Sequence, residues 1–183
     1  TSWRISNAVS LHGSVYRGYR TPTLNELHRG FSVGNTITNP SPELDPERLT
    51  GFEGGVLLTR GVASTRVTGF WNQLEDAVTN VTITAPGVTP ILRQRQNTDK
   101  VRARGLEVET DLRPFDRWLF SGVVVLTDSE FAESPKQPQL EGNQTPQVPT
   151  FQLGATMTYT DPRGFTGSVQ ARGFGKQYDD DLN

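Results

Sequence analysis

The chain has 183 residues, a length suited to one domain, with 18 Lys plus Arg against 20 Asp plus Glu and a formal net charge of −2. That balance excludes nucleic acid as the main partner, because phosphate binding calls for a clear basic excess. The absence of cysteine removes disulfides, thiolate zinc sites and cysteine catalysis, and no apolar run approaches the roughly 18 residues of a membrane-spanning helix.

Period-2 alternation is the dominant pattern along the chain. In the first predicted strand, 3–19, Trp3, Ile5, Val9, Leu11, Val15 and Tyr19 share a face opposite Arg4, Ser6, Ser10, His12 and Ser14, with Asn7 and Arg17 as breaks. Segments 50–59 and 63–78 read as strands from their β-branched and aromatic content. Over 100–112, Leu106, Val108, Thr110 and Leu112 oppose Glu107, Glu109 and Asp111. Segment 117–128 carries apolar groups on both faces. The clearest pattern is 150–160, where Phe151, Leu153, Ala155, Met157 and Tyr159 alternate with polar residues and glycine. A Pro162–Gly164 turn leads into 165–177, with Phe165, Val169 and Ala171 on one side.

These seven predicted strands are joined by alternating long and short connections: 20–49, 60–62, 79–99, 113–116, 129–149 and 161–164. Strict alternation puts every long loop at one end of the sheet and every tight turn at the other. Outer-membrane barrels sort their connections in this way. Phe115 and Trp118 beside one short turn, and Tyr159 and Phe165 beside another, suit an interfacial aromatic girdle. Half of a barrel's strand positions face a polar lumen, so the modest hydrophobic content is compatible with a membrane wall.

Motifs along the chain point to one family. Gly18-Tyr19-Arg20-Thr21-Pro22-Thr23-Leu24-Asn25-Glu26-Leu27 resembles a signature of TonB-dependent outer-membrane receptors, at which a barrel strand passes into an external loop. In the same order follow Asn39-Pro40, Leu44-Asp45-Pro46-Glu47, Gly51-Phe52-Glu53 with Gly55, and Phe70-Trp71-Asn72-Gln73-Leu74-Glu75-Asp76. Gln96-Asn97, Ala103-Arg104-Gly105-Leu106-Glu107-Val108-Glu109 and Pro146-Gln147-Val148-Pro149 complete the series. The resemblance implies a barrel of about 22 strands with a plug folded inside, of which residues 1–183 form part of the wall. The plug, the TonB-contacting box and the closing strands have no counterpart in these motifs, so the chain is expected to be a piece of a longer receptor.

The expected fold class is therefore all-β, an antiparallel transmembrane β-barrel segment. By resemblance, the parent takes up a scarce nutrient (a ferric siderophore, cobalamin or similar) across the bacterial outer membrane, driven by the TonB complex acting through the missing plug. Its partners would be outer-membrane lipid, the nutrient (such as a metal–siderophore complex) and TonB, with no cofactor and no nucleic acid. The alternative reading is a soluble all-β ligand-binding module, a sandwich or lipocalin-like barrel that buries the same apolar face inward.

No catalytic or metal constellation is recognised. Glu107, Glu109 and Asp111 read as solvated wall residues, the Asp179–Asp181 acidic tip as a solvated loop, and His12 and His28 are too far apart in sequence for a metal-ligand motif. Arg20 and Glu26 are expected to brace the base of the first long loop through charge-assisted hydrogen bonds. Phe31, Arg93 and Phe131 are the candidates for ligand contact in the long loops, where binding proteins concentrate recognition.

Overall fold

The computed structural model describes residues 1–135 and 137–182, with Asp99 described by its backbone alone. Lys136, inside the third predicted long loop, and Asn183 lie outside the described residues. Ten strands form one sheet. In chain order they are β1 (Ser2–Arg4), β2 (Val9–Arg20), β3 (Phe31–Val33), β4 (Thr36–Asn39), β5 (Glu47–Arg60), β6 (Ala63–Thr82), β7 (Ile91–Phe115), β8 (Trp118–Glu133), β9 (Phe151–Thr160) and β10 (Thr166–Phe174). Among the described residues, one short helix, α1 (Leu24–His28), and a 3₁₀ turn at Pro138–Leu140 accompany the sheet.

The wall is an antiparallel meander in the order β1-β2-β5-β6-β7-β8-β9-β10. The predicted first strand, 3–19, is in fact two. Ile5 and Ser6 donate backbone hydrogen bonds to Val9 O, and Trp3 pairs with Leu11 across the resulting hairpin. The turn preserves the odd–even phase of Trp3, Ile5, Val9 and Leu11, so alternation alone passes through it unbroken. The wall consequently has eight strands among the described residues. Its tight turns (5–8, 61–62, 116–117 and 161–165) lie at one end, and its longer connections (21–46, 83–90 and 134–150) lie at the other. Gly61, at φ 58°, supplies the left-handed residue that the two-residue β5–β6 turn requires.

The second predicted long loop, 79–99, is also corrected. β6 continues to Thr82 and β7 begins at Ile91, leaving only 83–90 as the connection. Pairs from Ala77↔Thr98 to Thr82↔Arg93 extend the ladder through it. The alternation is weak here because these strands run past the apolar zone, where neither face needs a regular apolar set.

Below that extension the two faces separate cleanly. One register row, Leu11–Val56–Val67–Val108–Val124–Leu153–Gly173, crosses seven strands on a single face. Val15 is 81 % exposed, Val169 66 % and Met157 37 %. A sheet burying this side in a protein interior would cover these groups, so the soluble-module alternative does not describe the structure. On β7 this apolar stretch lies between Arg104 and Phe115. About nine residues at ~3.3 Å each, tilted by ~40°, give a height of about 23 Å, close to the apolar band of an outer-membrane barrel. Immediately beyond it, the same face carries the ion pairs Arg104–Asp128 (2.8 Å), Arg102–Glu130 (2.6 Å) and Lys100–Glu133 (2.7 Å). At the opposite edge Trp118 packs on Tyr159 with ring centroids 4.9 Å apart, the amphipathic arrangement suited to a headgroup boundary.

The other face is polar and internally bonded. His12 Nε2 meets Thr68 Oγ1 at 3.0 Å, Ser14 donates to Glu53 (2.7 Å) and Tyr16 to Asn72 (2.7 Å). Glu109 faces Arg66 at 3.4 Å, and Asp111 accepts from Ser121 Oγ at 2.6 Å. The buried apolar cluster among the described residues is small: Val81, Phe131 and Leu140, with Val101 against it. It sits at the long-loop end and holds the 134–150 connection onto the sheet.

Candidate functional site

The long-loop end is where the chain departs from a plain sheet, and its organisation begins with Thr23. This residue caps α1 by accepting from Glu26 N (3.3 Å), while Glu26 Oε2 accepts from Thr23 N (2.7 Å) and Thr23 Oγ1 (2.9 Å). The result is a reciprocal capping box from the Thr-Leu-Asn-Glu run. Arg20, the last residue of β2, then joins two carboxylates. Its Nη1 donates to both Glu26 oxygens (3.1 and 2.8 Å), and its Nε donates to Glu47 Oε2. The second oxygen of Glu47 accepts from Val78 N on β6 (2.7 Å). Arg20 and Glu26 are thus brought together, with Glu47 as a third member. Burial works to raise the Glu26 carboxyl, but the Arg20 guanidinium, the Thr23 N–H and the Thr23 hydroxyl more than offset it and hold the group at about 2.

The 21–46 connection is not a free loop. β3 and β4 form a hairpin within it, and β4 pairs in parallel with the start of β7, Thr36↔Ile91 to Asn39↔Gln94. Successive β7 side chains fasten the rest. Gln94 Nε2 donates to Pro40 O (2.7 Å), and Asn97 bonds both Asp45 N (2.8 Å) and Asp45 O (3.0 Å). Arg95, only 9 % exposed, donates to Asn25 O and to Arg29 O (3.3 Å) at the end of α1. Its guanidinium also lies over the Phe31 ring, 5.4 Å from the centroid.

The three residues proposed for ligand contact occupy different settings. Phe31 is on β3 and exposed, with Arg95 against its ring. Arg93 is on β7 rather than in a loop. It borders a cavity of about 300 Å³ together with Asp180, Gln147 and Thr79, and its Nη2 lies 3.9 Å from Asp180 Oδ2. Phe131 is on β8, which runs past its predicted end at 128 to Glu133. It is 1 % exposed, buried between Val81 and Leu140, so its ring supports the cavity floor and is not presented to solvent.

The acidic tip also differs from the expected solvated loop. Asp181 is 1 % exposed. Its Oδ1 accepts from Thr82 Oγ1 (2.7 Å), its Oδ2 from Thr82 N (2.9 Å), and its carbonyl from Asn143 Nδ2 (2.9 Å). No group of three or more metal-ligating side chains occurs among the described residues. Sequence reasoning misses Arg95 and the anchoring role of Asp181, neither of which is announced by a local motif. Glu47 and Asn97, by contrast, lie in the Leu-Asp-Pro-Glu and Gln-Asn elements that carry the family likeness.

Residues 1–183 match the family described as TonB dependent receptor-like, beta-barrel. Among solved structures, a mutant of the ferric enterobactin receptor PfeA from Pseudomonas aeruginosa superposes with a TM-score of 0.69 at 17 % identity, over 96 % of this chain and 27 % of that one. The siderophore receptor PirA from Acinetobacter baumannii gives 0.64 at 15 % identity, over 96 % and 29 %. The copper transporter OprC gives 0.68 at 13 % identity, over 93 % and 24 %. At these identities the likeness is one of fold. The chain spans about a quarter of the length of the solved structures it matches.

Proposed function

The chain belongs to the TonB-dependent receptor-like β-barrel family, and from that premise we propose that it is a wall segment of a longer outer-membrane receptor that takes up a scarce nutrient by TonB-energised transport. The observation that carries this reading is the two-sided sheet: a band of exposed apolar groups about as tall as a bilayer core, backed by a hydrogen-bonded polar face and topped by folded connections. Receptors of this family transport and do not catalyse. The apolar face meets outer-membrane lipid, the polar face lines the lumen, and the plug through which TonB acts belongs to the remainder of the receptor.

The ligand class in this reading is a metal complex, a ferric siderophore first, in keeping with the names of the structural neighbours, which specify ferric enterobactin, a siderophore and copper. Phe31 and Arg93 are the contacts proposed for it at the long-loop end, with Phe131 as support beneath. Arg20 and Glu26 hold the base of the 21–46 connection. The test is accumulation of radiolabelled ferric siderophores, ferric enterobactin among them, by cells expressing the complete reading frame with and without TonB. Uptake of at least one complex that disappears without TonB is expected. Recovery of the product in the soluble fraction, or uptake indifferent to TonB, overturns the proposal.

A further inference from the structure

After β10 the chain runs back across the long-loop end. Lys176 O accepts from Thr150 N (3.1 Å) and Tyr178 O from Gln147 N (2.8 Å), so residues 175–178 stay attached beside the start of β9. Three residues later Asp181 is bonded to Thr82, at the far end of β6. Between these two attachments the segment passes β8 and the 134–150 connection, to which it is tied by Asn143 Nδ2 donating to Asp181 O. Asp179, Asp180 and Asp181 form one side of the cavity of about 300 Å³, with Arg93, Thr79, Thr145 and Gln147 around the rest.

Two features distinguish this arrangement from an ordinary surface loop. Asp181 is fully buried, yet the groups that bond its carboxylate all come from one residue, Thr82, so a single partner seats the side chain that ends the segment. Arg93 lines the cavity, its Nε is buried without a hydrogen-bond partner, and Asp180 approaches its Nη2 only to 3.9 Å. A buried donor left unspent is costly, so the Arg93 side chain gains by turning toward an acceptor once the segment over it is released.

We propose that residues 175–181 form a strap closing this cavity, that the Asp181–Thr82 contact is its buckle, and that release of the buckle opens the Arg93 side of the cavity to an oxygen-rich ligand. The strap is a matter of the unliganded protein alone; its use in ligand entry rests on the receptor reading above. Asp181 is a positioning residue here, acting through the segment it anchors.

The lack of native cysteine permits a direct test in the complete receptor, purified in detergent. Thr145→Cys reports from the cavity, where Thr145 is buried, and Ser64→Cys serves as a half-buried control at the tight-turn end of β6, paired with Thr59 and Asp111 and remote from the strap. Modification of the Thr145→Cys thiol by a negatively charged reagent is expected to accelerate at least tenfold when Asp181→Ala is added, and by less with Asp181→Asn, which keeps the shape and one acceptor. The Ser64→Cys thiol is expected to react at an unchanged rate. Equal rates at position 145 with and without Asp181→Ala, or equal acceleration at position 64, overturns the strap. Ferric enterobactin and the other complexes of the uptake panel are then added to the Asp181→Ala receptor. Protection of the thiol at position 145 by one of them supports ligand entry beneath the strap. Acceleration without protection by any complex leaves the strap standing and overturns its use in ligand entry.

Discussion

Gly54 and Gly55 are neighbours on β5 but face opposite sides of the wall, and their surroundings demand different things. A Cβ on Gly55 would lie 2.1 Å from Val67 O and 2.7 Å from the His12 ring, whereas one on Gly54 would meet nothing closer than 3.8 Å. The His12 ring crosses the empty position to reach Thr68 on the next strand but one. Tyr16 does the same over Gly51 to reach Asn72. Such aromatic cover of a strand glycine is a recognised way to fix register and curvature. Gly55→Ala should therefore destabilise the refolded receptor by about 2 kcal/mol or more, since the obstacle is a backbone carbonyl. Gly54→Ala should stay within ~0.5 kcal/mol of the parent. Urea titration of both variants checks the contrast, and equal midpoints would count against the packing described. The family-like element includes Gly55 and not Gly54, but the reason is not local, because the obstacles belong to the neighbouring strands β6 (Val67 O) and β2 (His12).

At the scale of elements, α1 is a five-residue helix whose stability comes from its cap and from Arg20. Glu26 is held at about 2, against 4.5 for the free group. Because the folded value is depressed, the carboxylate's contribution is fully present above pH ~4.5 and is lost as pH falls through about 2. Hydrogen exchange at residues 24–28 should accelerate across that interval relative to residues 151–157. Glu26→Gln should show raised exchange already at pH ~7, with a flatter acid response. Much of this is legible in the sequence: Thr-Leu-Asn-Glu is a capping signature, and Arg20 precedes it in the same motif. The full length of the hairpin formed by β6 and β7 is not. Its upper residues, from Ile91 to Lys100, are polar or charged at most positions. Their partners are one another, β4 and side chains from distant loops, so no periodic apolar set announces a strand. The eight-strand count is hidden for the opposite reason, a turn that leaves the alternation undisturbed.

For the molecule as a whole, the apolar side of the wall sets the terms. Leu153 belongs to the row from Leu11 to Gly173, so Leu153→Arg should cost about 2–4 kcal/mol if that row lies at mid-bilayer. Gln152→Arg, on the polar face of the same strand, should cost far less. Unfolding of both variants in lipid vesicles provides the comparison, and similar losses would contradict the assignment of faces. The division of residues between the two faces is legible from the sequence because strands that contact two different media must alternate. The medium that meets the apolar face is not, since alternation is the same for lipid and for a protein interior. The site at the long-loop end is legible only in its parts. Phe31 and Arg93 stand out by residue type, but their separation, the burial of Phe131 and the anchoring by Asp181 depend on pairings between segments remote in the chain, such as Thr82 with Asp181 and Val81 with Phe131.

β7 continues from Arg104 back to Ile91 after leaving the apolar zone. About thirteen residues of strand at ~3.3 Å, inclined as before, place the tip about 33 Å beyond the edge of that zone. In the receptor proposed above, a solute arriving from the medium would first touch a stiff turret standing clear of the lipid headgroups, and would still have most of the receptor's height to descend.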